Sequence, residues 1–265
     1  MKICLPVLRL LISFSISHSS FAQSSSKPVY VIVHGAWGGS WAFKKVDSLL
    51  TENGCVVYRP SLTGQGERVH LATLEVGLMT HIKDVVNMIL YEDLYNIILV
   101  GHSYGGMVVT GVADSLPGRI RKLIYLEAFV PDDGESLLSI QGSRGEGLKK
   151  MTTNGFVIPP WVVAGKLPPK DVPHPYKTLS DTLILKNDRR LKIPTTYILT
   201  VAKGTEAKAD DFATQAERAK KKGVSVNKVV IGLLQDHLGE SERKTVHQYH
   251  DLDELAGSWS KPEAG

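Results

Sequence analysis

The chain has 265 residues but only two cysteines, Cys4 and Cys55. Cys4 lies in an N-terminal apolar segment, and if that segment is removed Cys55 has no partner for an internal disulfide. The sequence also lacks the H-E-x-x-H motif, paired C-x-x-C motifs and aspartate-rich loops that are typical of zinc and calcium sites. We therefore predict no metal, and we expect apolar burial rather than cross-links to hold the fold together.

An excess of charge of one sign is also missing. Residues 1–22 contain Lys2 and Arg9 and no acid, so removing them lowers the net charge from +4 to +2. A nucleic-acid-binding surface needs a clustered basic face. The local basic run at 220–222 is typical of a solvated helix end, so we predict no nucleic-acid partner.

No apolar run is long enough to be a stable membrane anchor. The best candidate, Ile3–Ile16, is too short and interrupted. Lys2 before this run and a small residue, Ala22, after it are typical of a secretory signal peptide. We predict that residues 1–22 are a signal peptide and that residues 23–265 form a single domain, exported to the periplasm or secreted.

Short apolar strands alternate with helix-compatible segments along most of the chain. The predicted strands are Val29–Val33, Cys55–Tyr58, Ile97–Val100, Leu123–Leu126, Thr195–Thr200 and Val224–Leu233. The predicted helices are Trp41–Leu50, Thr80–Leu90 and Asp210–Lys222. This order predicts an α/β fold with a mostly parallel central sheet and helices on both faces. Residues 132–192 break the alternation and contain six prolines, which predicts a cap inserted over the active site.

The segment Asn96–Gly106, NIILVGHSYGG, contains the pattern on which the functional prediction depends. An unbroken apolar run bounded by glycine is typical of a buried parallel strand. It leads into G-x-S-x-G, the turn that exposes a nucleophilic serine between a strand and a helix. Gly101 and Gly105 leave room for that turn, since a Cβ at either position would crowd the backbone. We predict Ser103 as a catalytic nucleophile.

Two further patterns fit a serine nucleophile. The first strand runs into His34-Gly35-Ala36, a glycine-containing loop of the kind that supplies a backbone N–H to an oxyanion hole. The predicted donors are the N–H groups of Ala36 and of Tyr104, the residue after the nucleophile. His237 follows the last predicted strand, where hydrolases of this chain order place the general base. We predict it as the base.

The blocks that carry these patterns also resemble one family. They are HGAWGGSW (34–41), LTGQGER (62–68), GHSYGG (101–106), AFVPDDG (128–134) and QDH (235–237). They are similar to α/β-hydrolases of the esterase/hydroxynitrile-lyase group, which includes plant methyl-salicylate and methyl-jasmonate esterases and bacterial relatives. The resemblance implies an α/β-hydrolase fold and a carboxylic-ester hydrolase without cofactor, with Ser103 as nucleophile and His237 as base. The lyases have a lysine directly after the catalytic histidine, where this chain has Leu238.

The acid of the triad is where the sequence departs from the family. The family places an aspartate in the loop after the strand that corresponds to Thr195–Thr200, and this loop contains no carboxylate at that point. Two alternatives remain open. Glu206, Asp210 or Asp211 could reach the base from slightly downstream. Glu127, which ends the preceding apolar strand, could instead orient it. A glutamate there is costly to bury unless it is paired, so we predict Glu127 as the acid.

The sequence predicts a small, hydrophobic ester as substrate, with Trp37, His102, Trp161 and Tyr176 as candidate pocket residues. One alternative is a binding protein of the same fold with little or no turnover, which the missing carboxylate would explain. A weaker alternative is a hydroxynitrile lyase, which Leu238 disfavours. The natural substrate and the oligomeric state do not follow from the sequence.

Overall fold

The computed structural model describes residues 27–231 apart from Lys203 and Thr205. Its main feature is a six-stranded sheet in which every neighbouring pair is parallel, in the order β2-β1-β3-β4-β8-β9. These strands are β1 (Val29–Val33), β2 (Val56–Tyr58), β3 (Ile97–Ser103), β4 (Ile120–Ala128), β8 (Thr195–Ala202) and β9 (Ser225–Ile231). The predicted parallel sheet is confirmed.

Strand β3 occupies the middle of the sheet and is buried on both faces, which explains its unbroken apolar run. Successive side chains of a strand point to opposite faces. Accordingly, Ile97 and Leu99 pack into the main core, whereas Ile98 and Val100 pack with Phe43 in a second cluster on the other face.

Helices cover both faces of this sheet. They are α1 (Lys44–Glu52), α2 (Leu78–Tyr91), α3 (Gly105–Ser115) and α7 (Ala213–Lys221). Helix α2 begins two residues before the predicted start because Asp181, far along the chain, accepts the Leu78 N–H at 3.1 Å. Helix α7 begins three residues after its predicted start because the Asp210 carboxylate accepts the N–H of Phe212 at 2.8 Å, as a turn-forming aspartate does.

Residues 132–192, the cap, lie between β4 and β8. They contain two helices, α4 (Leu137–Gln141) and α5 (Ser143–Lys150), then a small antiparallel sheet and the short helix α6 (Tyr176–Ser180). The three strands of that sheet are β5 (Thr152–Thr153), β6 (Phe156–Val157) and β7 (His174–Pro175). The cap therefore has its own hydrogen-bonded framework instead of a structureless connection.

Two predictions lie outside the described residues: the signal peptide at 1–22 and the base His237. The predicted final strand is described as far as Ile231. Within residues 27–231, no helix is both long and apolar enough to cross a membrane.

Candidate active site

Ser103 is the last residue of β3 and has a φ of 51°, a left-handed conformation that L side chains rarely adopt. Helix α3 begins two residues later, at Gly105. The Phe129 N–H donates to the Ser103 carbonyl at 3.1 Å, so the end of β4 fixes the turn from the neighbouring strand. The side chain of Ser103 is thus held at the carboxyl end of the sheet, at a helix N-terminus that favours negative charge.

The two glycines around Ser103 are required by space. A Cβ on Gly101 would lie 2.6 Å from Val109 Cγ2 and 2.7 Å from the Gly105 carbonyl oxygen. A Cβ on Gly105 would lie 2.6 Å from the carbonyl oxygen of Val33. Strand, turn and helix therefore approach one another more closely than any other residue would allow.

The loop after β1 passes directly against the nucleophile turn. A Cβ built on Gly35 would lie 3.0 Å from Ser103 Cβ. Among the described residues, no acceptor takes the backbone N–H of Ala36 or that of Tyr104. Tyr104 follows Ser103 in the chain, and Ala36 belongs to the loop that packs against it. The sequence predicts both as oxyanion donors, and within the described residues both N–H groups are available for a ligand.

Trp37 gives this loop an unusual turn. Its φ is 64°, and the Gly38 N–H donates to the Ala36 carbonyl at 2.8 Å. A hydrogen bond from residue i+2 to residue i around a positive φ is a γ-turn of the rare, strained form. The Trp37 side chain is 5% exposed, so the strain is stored in a buried and tightly held residue.

The cap holds Trp37 in place from several sides. The indole Nε1–H donates to the Val157 carbonyl at 3.1 Å, and the Trp37 carbonyl accepts the N–H of Val172 at 2.9 Å. The Trp161 ring meets the Trp37 ring edge-on, with 5.4 Å between centroids. The cap and the loop after β1 are therefore one packed unit.

Glu127 lies next to Ser103 across the β3–β4 ladder, at an irregularity of that ladder. His102 pairs with Leu126 and Ser103 pairs with Ala128, so Glu127 is an extra, bulged residue. Its φ is 42°. Bulges of this kind redirect a side chain and are frequent beside active sites. The sequence could not indicate this bulge, since it depends on the pairing of two strands.

The Glu127 carboxylate is half-buried and fixed by the next strand. Its Oε1 accepts the Thr200 N–H at 3.0 Å and also the Thr200 hydroxyl. Burial raises the pKa of Glu127 above its ordinary value, and the negative charges of Asp210 and Asp211 raise it further, against the Thr200 hydrogen bonds that lower it. Oε2 takes no hydrogen bond from the part of the chain that is described.

The other candidate acids are engaged elsewhere or exposed. Asp210 accepts the Phe212 N–H at the start of α7, and burial raises its pKa. Asp211 pairs with Arg144 of the cap at 3.0 Å. Glu206 is exposed.

The structure also gathers buried histidines that the sequence did not single out as partners. Burial lowers the pKa of His34 to about 4. Because the Leu62 N–H donates to His34 Nε2 at 3.0 Å, its Nδ1 carries the proton and donates to the Gly35 carbonyl at 2.7 Å. Burial lowers the pKa of His81 to about 3. His34 thus holds the loop after β1 as a neutral ring.

His81 anchors the residue after the nucleophile. Its Nε2 lies 2.8 Å from the Thr63 carbonyl, which only accepts, so Nε2 carries the proton. Its Nδ1 then accepts the Tyr104 hydroxyl proton at 2.9 Å. The fully buried Tyr104 ring also contacts His174 of the cap, with 5.1 Å between centroids.

Of the predicted pocket residues, Trp37, in the loop after β1, and Trp161, in the cap, meet each other. Tyr176 begins α6 and is partly buried against the main core. His102 precedes Ser103 in β3, and its ring packs edge-on against Phe43, in the cluster on the other face of the sheet. This packing gives no support to His102 as a pocket residue. Across the described ranges, no group of three His, Cys, Asp or Glu side chains could hold a metal ion.

Comparison with known proteins agrees with this geometry. Residues 30–233 match the family described as "Alpha/beta hydrolase family". The chain belongs to this family. The fold predicted from the sequence is confirmed, and the family resemblance is confirmed by relatives among the methylesterases.

Two curated relatives illustrate the similarity. A carbendazim hydrolyzing esterase from Nocardioides sp. (strain SG-4G) is 50% identical over 111 residues, which is 42% of this chain and 46% of the relative. Methylesterase 2 of Arabidopsis thaliana is 30% identical over 118 residues, 43% of this chain and 44% of the relative. The chain thus spans less than half the length of these relatives.

Solved structures share the fold over a longer range. An extracellular α/β-hydrolase from a Paenibacillus species has a TM-score of 0.65 at 22% identity, covering 77% of this chain and 90% of the other. The methylesterase MES16 from Arabidopsis has a TM-score of 0.58 at 24% identity, covering 77% and 89%. At these identities the likeness establishes the fold alone.

Proposed function

We propose that this protein is a serine hydrolase that cleaves carboxylic esters through an acyl-enzyme. The observation that carries the proposal is Ser103, held at positive φ between β3 and α3. A turn of this form presents the serine oxygen to a ligand at the end of the sheet. In the first step, Ser103 Oγ attacks the ester carbonyl carbon and its proton passes to the base.

The N–H groups of Ala36 and Tyr104 stabilise the oxyanion that forms in this step. Both are free of acceptors among the described residues, and both belong to segments that neutral histidines hold from behind. Donors that are fixed before the reaction stabilise developing charge without the cost of reorienting at that moment.

His237 is the proposed base, and Glu127 is the proposed acid that orients it. Glu127 lies one strand away from Ser103, in a bulge that turns its side chain, and Thr200 fixes one carboxylate oxygen. The other oxygen would accept the imidazole N–H, which fixes the tautomer and stabilises the imidazolium. His237 then returns its proton to the leaving alcohol, and a water molecule repeats the sequence to release the acid.

The proposed substrates are small, hydrophobic esters. Trp37 belongs to the proposed oxyanion loop, residues 34–38, and its indole meets that of Trp161. The two rings would provide an apolar wall for the acyl or alcohol group. Because one relative is named a carbendazim hydrolyzing esterase, carbendazim is one substrate to test. Short-chain p-nitrophenyl esters and methyl esters of aromatic acids are the others.

The experiment combines turnover with active-site labelling on purified residues 23–265. We expect hydrolysis of p-nitrophenyl butyrate and stoichiometric labelling by a fluorophosphonate, with the adduct mapped to Ser103 by peptide mass spectrometry. Turnover without a Ser103 adduct would disprove the acyl-enzyme mechanism. Absence of both would favour a binding protein of the same fold.

A further inference from the structure

His174, the first residue of β7, is a completely buried histidine that joins the cap to the oxyanion loop. Its Nδ1 is the acceptor for the backbone N–H of Trp37, at 3.2 Å across 137 positions of the chain. Its Nε2 lies 2.7 Å from Thr178 Oγ1. The cap therefore reaches the main chain of the loop through a side chain, and not only through packing.

The partners of His174 determine where its proton lies. The Thr178 hydroxyl donates to the Pro175 carbonyl at 2.8 Å, so toward His174 it serves as acceptor. Nε2 therefore carries the proton, and Nδ1 keeps its lone pair for Trp37. Burial lowers the pKa of His174 well below its ordinary value, and the neighbouring His81 and His34 lower it further. The ring is neutral, which an acceptor at Nδ1 requires.

The peptide unit that His174 binds is the one that follows the proposed oxyanion donor. This unit joins Ala36 to Trp37, and its carbonyl oxygen accepts the Gly38 N–H while its N–H goes to His174. With both ends fixed, this unit cannot rotate. It anchors the loop on the C-terminal side of the Ala36 N–H, while His34 holds the Gly35 carbonyl of the peptide that carries that N–H. The strained φ of Trp37 needs such restraint, since a free loop would relax from it.

We propose that His174 is a positioning residue for the oxyanion hole, which fixes the Ala36–Trp37 peptide and so directs the Ala36 N–H toward the substrate oxygen. It acts through the backbone rather than on the reacting atoms. The inference rests on the proposed esterase function and adds a cap residue to that site. It also explains why the cap and the loop that carries Trp37 are joined by polar contacts as well as apolar ones.

The test compares four variants with the wild type in full-length mature protein. H174L removes the acceptor, whereas H174N keeps an oxygen at the reach of Nδ1. H174Q places its oxygen one methylene further out. L179A is the matched control, because Leu179 is a fully buried cap residue of α6 whose truncation loosens the cap and keeps both His174 hydrogen-bonding partners. The measurements are kcat and KM for p-nitrophenyl butyrate, the inhibition constant of an alkylboronic acid, and hydrogen exchange of the Trp37 amide.

Removing one oxyanion donor outright costs about 10²- to 10³-fold in kcat, so we expect misdirection in H174L to cost about 10- to 100-fold. KM should stay within about 3-fold, because the ground-state ester makes little use of these donors. The boronate forms a tetrahedral adduct on Ser103, so the affinity of H174L for it should fall in parallel with kcat. Exchange of the Trp37 amide should become faster. H174N should keep most of the wild-type kcat, whereas H174Q should lose about as much as H174L. The kcat of L179A should stay within about 2-fold of the wild type.

Two results would overturn the positioning role while leaving the esterase intact. One is an H174L enzyme whose kcat and boronate affinity match those of L179A. The other is a fall in kcat with unchanged boronate affinity and an unchanged Trp37 amide. If H174L does not fold, equal kcat values for H174N and H174Q would reject the role, and a higher value for H174N would support it. A wild type without Ser103-dependent turnover would reject both proposals.

Discussion

Two residues of the candidate site, Ser103 and Trp37, both have a positive φ, for different reasons. Their φ angles are 51° and 64°, and a left-handed bulky residue costs on the order of 1–3 kcal/mol. Ser103 is held chiefly by its own neighbours: Gly101, Gly105 and helix α3. Trp37 is held by Val157 and His174, which are 120 and 137 positions away.

The difference shows two ways of storing strain at a site. The nucleophile turn is encoded by a short motif, since glycines and a following helix create it wherever they occur between a strand and its crossover. The turn at Trp37 depends on the cap being folded in place. We therefore expect the two turns to respond differently to mutation. Five predictions follow, in order of the expected effect.

The largest effect should come from the nucleophile itself. Ser103→Ala should lower kcat on p-nitrophenyl butyrate by about 10⁴- to 10⁶-fold, because no other group can form the acyl-enzyme. The folded state should persist, since alanine removes only the hydroxyl. Ser180→Ala, at a partly exposed serine of the cap, serves as control and should retain full activity. A Ser103→Ala protein with substantial turnover would contradict the mechanism.

The next effect concerns Glu127. Glu127→Gln keeps the shape and the acceptor for Thr200 but removes the charge that stabilises the imidazolium, so kcat should fall by about 10³- to 10⁴-fold. Asp211→Asn is the matched control and should stay within about 3-fold, because Asp211 pairs with Arg144 at the surface. If the Asp211 variant loses more activity than the Glu127 variant, the acid is misassigned.

The same Glu127→Gln variant should be more stable than the wild type at neutral pH. Burial raises the pKa of Glu127 in the folded state. The side chain therefore contributes most to the free energy of unfolding at a pH below its pKa in the unfolded chain. This contribution is lost as the pH rises through its pKa in the folded protein. Above that range the ionised carboxylate destabilises the fold, and glutamine removes this cost. Urea unfolding should show the gain at pH 7 and none near pH 3; an equal gain at both would contradict the charge explanation.

The turn at Ser103 should also differ from ordinary glycine positions in how an added methyl group changes the free energy of unfolding. Gly105→Ala should destabilise the protein by about 1–3 kcal/mol, because the added Cβ overlaps the Val33 carbonyl across the sheet. Gly147→Ala, in helix α5 with open space around its Cα, should instead stabilise it by about 0.5–1 kcal/mol. Denaturant titration of both variants measures the two changes in the free energy of unfolding. Equal effects would mean that the elbow is not sterically constrained.

The smallest effect should come from the long-range turn. Trp37→Phe removes the indole donor to the Val157 carbonyl while keeping an aromatic ring at positive φ. We expect kcat to fall about 3- to 10-fold through a small shift of the oxyanion loop. Trp161→Phe keeps the edge contact with Trp37 and should change kcat less. The comparison between the two turns would fail if Trp37→Phe had no effect on kcat.

Much of the fold and part of the site could be predicted from the sequence. The apolar run Ile97–Val100 predicts a buried strand because only a strand covered on both faces is apolar at every position. The glycines around Ser103 predict the turn because they act on adjacent backbone. His102 shows a signal that was available but unused: as the residue before Ser103 in a strand, it must point to the opposite face, and it packs there against Phe43.

Other features were decided by the tertiary structure alone. The bulge that aims Glu127 comes from the register of β3 against β4, and its carboxylate is fixed by Thr200 on a third strand. The turn at Trp37 and the neutral state of His174 come from the cap. Local motifs determine geometry that adjacent residues can enforce, whereas the orientation of an acid or the tautomer of a histidine depends on burial and on partners that only the folded chain brings together.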